Sequence, residues 1–192
     1  MTILILGLLL FLGVHSLRMV ADDWRTQQIA RFGELPWKGV YALLSALGLG
    51  LIVWGYRLSR AQPVPLWEPP LWIGHLTALL TIPAFILLAA TYVPGSRIKA
   101  AVGHPMLLGV SIWALAHLLS NGSLADILLF GAFLAWAMMD FHAARGRERA
   151  AGVVYRDGTP ASDLKVVATG LLGWGLFAGF LHAWLIGVSP FG

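Results

Sequence analysis

Six apolar runs of near-bilayer length constrain this chain more than any other feature. They cover roughly residues 2–20, 39–56, 71–92, 105–121, 124–139 and 166–188. A helix needs ~20 apolar residues to cross a hydrocarbon core of ~30 Å. In that solvent each run must satisfy its own backbone hydrogen bonds, and only a helix does so within one segment. The expected fold is therefore all-α: a polytopic membrane bundle of about six transmembrane helices, with the fifth run the short one. Composition agrees, since 58% of residues are hydrophobic and only 11% charged, about half the charged share of a soluble domain. So little polar surface cannot cover a water-soluble globule. With 192 residues, the chain reads as one integral-membrane domain spanning 1–192.

The charges set the orientation. Arg18, Arg25, Arg31 and Lys38 flank or fill the first connection, Arg97 and Lys99 the third, and Arg145, Arg147, Arg149, Arg156 and Lys165 the fifth. Only Arg57 and Arg60 of the thirteen basic residues are left for the second connection. By the positive-inside rule the odd connections are cytoplasmic and both termini lie outside. Nothing basic precedes the first run and no A-x-A site follows it, so it is expected to remain as an uncleaved helix. The basic excess, 13 residues against 9 acids, suits anionic headgroups and forms no nucleic-acid-binding stripe. Gln62–Pro70 is a proline-rich outer connection whose Trp67, with Trp72, suits the interfacial aromatic belt. Residues 144–160 form the longest polar stretch, with a turn at Asp157-Gly158. Gly175 and Gly179 form a small-xxx-small pair for helix packing.

Histidines carry the chemistry. In the segment GHPMLLGVSIWALAHLLSNG, His104 stands at the mouth of the fourth run, before Pro105 at the favoured first helical position, and His117 lies deep within it. At 1.5 Å per residue His117 sits ~20 Å up that helix, and His15 only ~7–8 Å above the cytoplasmic boundary. Trp113, His117 and Asn121 share one helical face. Two tiers result: His15, His104 and His142 on the cytoplasmic side, and His75, His117 and His182 in the outer half. His142 and His104 border water, and His75 and His182 neighbour interfacial tryptophans, where an amphipathic anchor is the plainer role. His15 and His117 lie among Leu, Val and Ala. An intramembrane histidine there is either an interhelical hydrogen-bonding group or a functional one.

Neutral imidazole suits haem iron, copper or zinc. With no cysteine, disulfides, zinc–thiolate sites and a thiolate haem ligand are excluded. A zinc hydrolase would want paired histidines one turn apart with a third ligand, and no H-x-x-x-H occurs. Acids near membrane runs (Glu34, Glu68, Asp126, Asp140) all fall at run ends. Single histidines on separate helices match the way a bundle clasps a haem.

Those residues also resemble a known family. The helix-four segment, LFLGVHSLR (Leu10–Arg18) and FGELPWKGVYALLSALGLGLIVWGY (Phe32–Tyr56) are similar to the NnrU family of bacterial membrane proteins. That family also includes the plant 15-cis-zeta-carotene isomerase, a haem b enzyme. The resemblance covers nearly the whole chain and is densest at His15-Ser16, His104-Pro105, Gly109, Trp113, Ala116-His117 and Gly122. It implies haem b as cofactor, His15 and His117 as the axial ligands of its iron, and His104 as the cofactor-site histidine of the His-Pro motif. It further implies a multi-pass protein of the bacterial cytoplasmic membrane, linked by the family name to nitrogen-oxide metabolism in denitrification. Where the plant enzyme has a cysteine in helix four this chain has Ala114, so a thiolate ligand switch is absent. From depth alone, His15 and His117 differ by ~10–12 Å along the normal. They share one iron only if the haem lies far from upright or a helix tilts strongly, and His15 with His104 is a rival pair of similar offset.

Three function classes remain open: a haem b protein of nitrogen-oxide metabolism, a haem-dependent isomerase of a polyene or similar hydrophobic small molecule, and a membrane methyltransferase-like protein or non-catalytic scaffold. For the third, an acidic pair is wanted in the cytoplasmic segment after the His-Pro motif, and Arg147-Glu148-Arg149 offers one acid only.

Overall fold

The computed structural model describes residues 1–155 and 157–191, which leaves Arg156, counted above with the fifth connection, outside the described residues. Its helices are α1 (Thr2–Val20), α2 (Asp22–Phe32), α3 (Glu34–Ala61), α4 (Trp72–Tyr92), α5 (Arg97–Val102), α6 (Pro105–Ser120), α7 (Leu124–Ala150), α8 (Pro160–Leu176) and α9 (His182–Ile186), the last two joined by a π-helical turn at Phe177–Leu181. Five helical segments are long and apolar enough to cross a membrane, with α8 to α9 acting as one, and the shorter apolar α6 makes the sixth.

The six apolar runs are helical over nearly all their length, and the helices differ from the runs in extent. α7 is not short: it carries eleven residues beyond the apolar run, through the Arg145/Arg147/Arg149 segment to Ala150. Straight-chain arginines and alanines are good helix formers, and an Asp140–Arg147 ion pair at 3.6 Å supports the extension. The shortest spanning helix is instead α6, with 16 residues. Between α1 and α3 the connection folds as α2, a short polar helix joined at both ends by single residues, Ala21 and Gly33. Local chemistry starts the helices where they start. Ser123 and Asp126 form a capping box at the head of α7, and Thr159 caps α8 ahead of Pro160.

The spanning helices pack in the order α3–α1–α7–α6–α4–α8. α1 and α3 approach closely because glycines face the partner backbone. A Cβ on Gly48 would come within 2.8 Å of the Phe11 nitrogen, and one on Gly55 would overlap the backbone of Leu4. By contrast nothing lies near Gly175 or Gly179, so that pair packs no helix within this chain. The 62–71 connection crosses from the α3 edge to α4, anchored by Leu66 and Leu124 amides that donate to Gly122 and Val64 carbonyls at 2.8 and 2.9 Å. Leucines facing outward, such as Leu9, Leu43, Leu79 and Leu172, remain exposed as lipid-facing surface. A packed core of Leu4, Leu8, Ile52, Ala114, Ala125, Leu129 and Phe130 fills α1, α3, α6 and α7 toward one end. Toward the other, basic end the same helices part.

Candidate functional site: two histidines on one aromatic column

His15 and His117 are held in the same way. Nδ1 of His15 lies 2.7 Å from the Phe11 carbonyl oxygen, and Nδ1 of His117 lies 2.8 Å from that of Trp113. A carbonyl only accepts, so in each neutral ring Nδ1 carries the hydrogen and Nε2 keeps its lone pair. Each helix thus orients its own imidazole by bonding one turn back. Such a second-shell bond is what fixes the tautomer of a metal-ligating histidine.

Aromatic rings from α7 separate the two. Trp136, Phe133 and Phe130 follow one another at helical spacing, forming a stripe. His15 stacks on Phe11 at 4.1 Å and meets Trp136 edge-on at 6.0 Å. Phe11 and Trp113 flank Phe133 at 5.8 and 5.7 Å. His117 lies 4.8 Å from Phe130 and 5.2 Å from Trp113. From Trp136 to Phe130 the rise is ~9 Å, so the two imidazoles stand at different levels and do not converge on one point.

Their surroundings differ more than their bonding. His15 opens into a cleft of about 630 Å³ at the basic end. α1 contributes Val14, His15, Leu17 and Arg18, α2 Arg25 and Ile29, and α3 Trp37, Lys38 and Tyr41. Lys99, His104, Met106, Leu107, Trp136 and Asp140 line the facing wall. Arg18, Arg25, Lys38 and Lys99 line it with two carboxylates, Glu34 and Asp140; Lys38 already pairs with Glu34 at 2.9 Å and Arg25 with Asp22 at 3.5 Å. Trp136 holds its indole Nε1–H buried with no acceptor among the described residues, a donor free for a bound molecule. His117 lines no part of this cleft; it packs against the core ring of Phe130.

His104 joins His15 in the cleft, and its role differs from a helix cap. It occupies the position before Pro105 but its side chain makes no capping bond. Nε2 instead lies 2.8 Å from a Glu148 carboxylate oxygen. Arg145 reaches the other oxygen at 3.3 Å, and the Tyr155 hydroxyl donates to Glu148 as well. Burial, followed by the Glu148 carboxylate, pushes the Tyr155 phenol up. Gly103, at φ +75, is what lets these groups meet, since a Cβ there would lie 2.8 Å from the Arg145 guanidinium. Glu148 had been read as a lone acid in a basic run. Its contact with His104 joins residues far apart in sequence, which no local pattern reveals.

Of the remaining histidines, His75 and His182 are expected as anchors and His142 as a solvated group. His75 and His142 are exposed, and His182 bonds the Val188 carbonyl at 2.6 Å. Among the described residues no three His, Asp or Glu side chains gather closely enough to hold a bare metal ion. The donor set instead fits a haem: one oriented imidazole with a free Nε2, aromatic walls, an unpaired indole donor, and cations for two carboxylates. That fit belongs to the His15 cleft.

The family described as NnrU protein matches residues 3–190. The match spans nearly the whole chain, and this protein belongs to the NnrU family. No curated protein and no solved structure matches it significantly.

Proposed function

We propose that this NnrU-family chain is a multi-pass haem b protein of the bacterial cytoplasmic membrane, working in nitrogen-oxide metabolism. The observation that carries the reading is the His15 cleft, where an imidazole with a free Nε2 faces an aromatic, cation-rimmed space of about 630 Å³. When bound, a haem supplies a one-electron couple and an iron that can take a small ligand. Everything else is the work of this chain. His15 presents Nε2 while the Phe11 carbonyl holds the ring. Arg18, Arg25, Lys38 and Lys99 line the cleft and would receive the propionates. Trp136 offers its unpaired N–H to an acceptor on the same molecule. His104, whose Nε2 lies 2.8 Å from Glu148 yet makes no hydrogen bond among the described residues, acts as an orienting group at the mouth.

His117 enters the proposal as the second axial imidazole that the family resemblance implies. Its Nε2 is free for that role. It shares an iron with His15 only once the rings between them, Phe133 and Trp113, have moved. The ligands are therefore unequal: His15 is presented, and His117 has to be brought. A reduced-minus-oxidised visible spectrum of the protein purified from haem-replete cells tests the reading. Sharp paired bands in the reduced state, with near-stoichiometric haem, are expected; a protein that takes up no haem overturns it. Turnover of a cis-polyene by the reduced holoprotein would place the isomerase alternative on the same cleft.

A further inference from the structure

The aromatic column does not stop at His117. Phe130 also meets Tyr56 of α3 at 6.4 Å, and Tyr56 donates its phenolic hydrogen to Oδ1 of Asp126 at 2.6 Å. Asp126 is 7% exposed, and its other oxygen is taken up by the Ser123 amide and hydroxyl. A capping box needs only that second oxygen. The buried Tyr56–Asp126 bond is thus left over from helix capping and unused by the cleft. Indoles and phenols are the side chains that give up one electron most readily. Here they occupy both ends and the middle of a continuous ring path that runs from Trp136 through His15 and Phe11 to Phe133, Trp113, Phe130 and Tyr56.

We propose that this column is a one-electron relay through the bilayer, from the His15 cleft to a proton-coupled tyrosine, Tyr56, with Asp126 as its proton acceptor. A one-electron oxidant at the cleft that offers Trp136 no hydrogen-bond acceptor, of the class of a ruthenium(III) polypyridyl, removes an electron from Trp136. The Trp136 N–H has no acceptor among the described residues, so the ring keeps its proton and the hole moves on as a charge. Across His15, Phe11 and Phe133 it reaches Trp113, in contact with Phe133 at 5.7 Å, and Trp113 is refilled across Phe130 at 5.2 Å. Tyr56 supplies that electron. Its O–H bond breaks, the proton forms a bond to Oδ1 of Asp126, and a neutral tyrosyl radical remains. In balance, the oxidant is reduced by one electron, Tyr56 is oxidised by one, and one proton has moved 2.6 Å between heavy atoms. His15 and the phenylalanines only bridge.

The relay can be tested without haem, so its failure is separable from failure of the haem reading. The chain has no cysteine, so Val20→Cys in the full-length protein in nanodiscs takes a single ruthenium polypyridyl label at the basic end. Val20 is 74% exposed at the last position of α1. Flash-quench oxidation of the label is followed by electron paramagnetic resonance. A neutral tyrosyl signal is expected, lost in Tyr56→Phe, reduced several-fold in Trp113→Phe, and retained in Tyr41→Phe. All three Phe variants keep an aromatic ring in place, the two tyrosine ones nearly isosteric; circular dichroism and haem-free elution profile check that each folds. No tyrosyl signal at all, or a signal that survives Tyr56→Phe and disappears in Tyr41→Phe, overturns the relay.

Discussion

His15 and His117 make the same bond, Nδ1 to the carbonyl one turn back, and sit against the same α7 stripe, yet they occupy opposite kinds of space. At the His117 level the helices close on a dry core of small residues, leucines and Phe130. At the His15 level they part around a cleft with a charged rim. Donor chemistry is therefore a property of one helix turn, and access to the donor is a property of the bundle. α1 and α3 converge where Gly48 and Gly55 admit the partner backbone. α2 then occupies the mouth and contributes Arg25 and Ile29 to the cleft. A histidine becomes a candidate ligand where tertiary packing leaves it room.

Breaking the packed level should have the largest effect on stability. Phe130→Ala removes a ring from the core that touches His117, Trp113 and Tyr56. A loss of roughly 3–5 kcal/mol is expected, the usual result of truncating a buried aromatic. Trp136→Ala, at the cleft level, should lose under about half as much, because space already surrounds that ring. Unfolding in mixed micelles compares the two, and equal losses would erase the distinction between levels.

A second contrast concerns the glycines that create the closed end. Gly55→Ala forces α1 and α3 apart and should cost about 1–3 kcal/mol, as overpacking does. Gly13→Ala, where nothing lies within 4 Å, should stay within about 0.5 kcal/mol. The same unfolding assay reads both, and a neutral Gly55→Ala would contradict the close approach.

Charge at the open level comes next. Arg18→Gln and Lys38→Gln should each weaken haem uptake by up to about fivefold, with the loss shrinking in high salt, as expected for partly exposed pairs. His104→Ala should change least. The haem should stay ligated, with uptake altered no more than by one rim charge, because His104 contacts Glu148 and not the iron. If its visible bands vanish as they do for a ligand variant, His104 is itself axial and Glu148 has been misassigned.

Much of this was legible in the chain. Apolar run length fixed the number of spans, and single helices satisfied by their own hydrogen bonds are what a bilayer demands. His15 and His117 could be picked out because each is a polar ring on an apolar face. Their separation was also foreseeable, since depth counted along two helices already differed by ~10–12 Å. What escaped was everything that depends on crossing elements. The His104–Glu148 contact joins the start of α6 to the end of α7. The cleft draws Arg25 and Ile29 from α2, a polar helix whose mixed charges and short length hid it. The full extent of α7 was missed because its last turns are polar, and hydropathy marks the bilayer rather than the helix.

The central claim is that His15, and not His117, holds the haem in place. Haem titration into the purified apo-protein in nanodiscs, followed by visible spectra of His15→Ala and His117→Ala beside the unmodified chain, tests it directly. The account predicts a low-spin six-coordinate haem in the unmodified protein. Specific uptake should be lost in His15→Ala, while a high-spin haem is retained in His117→Ala. Uptake that survives His15→Ala and disappears in His117→Ala would put the cofactor in the packed level and contradict the assignment of the cleft.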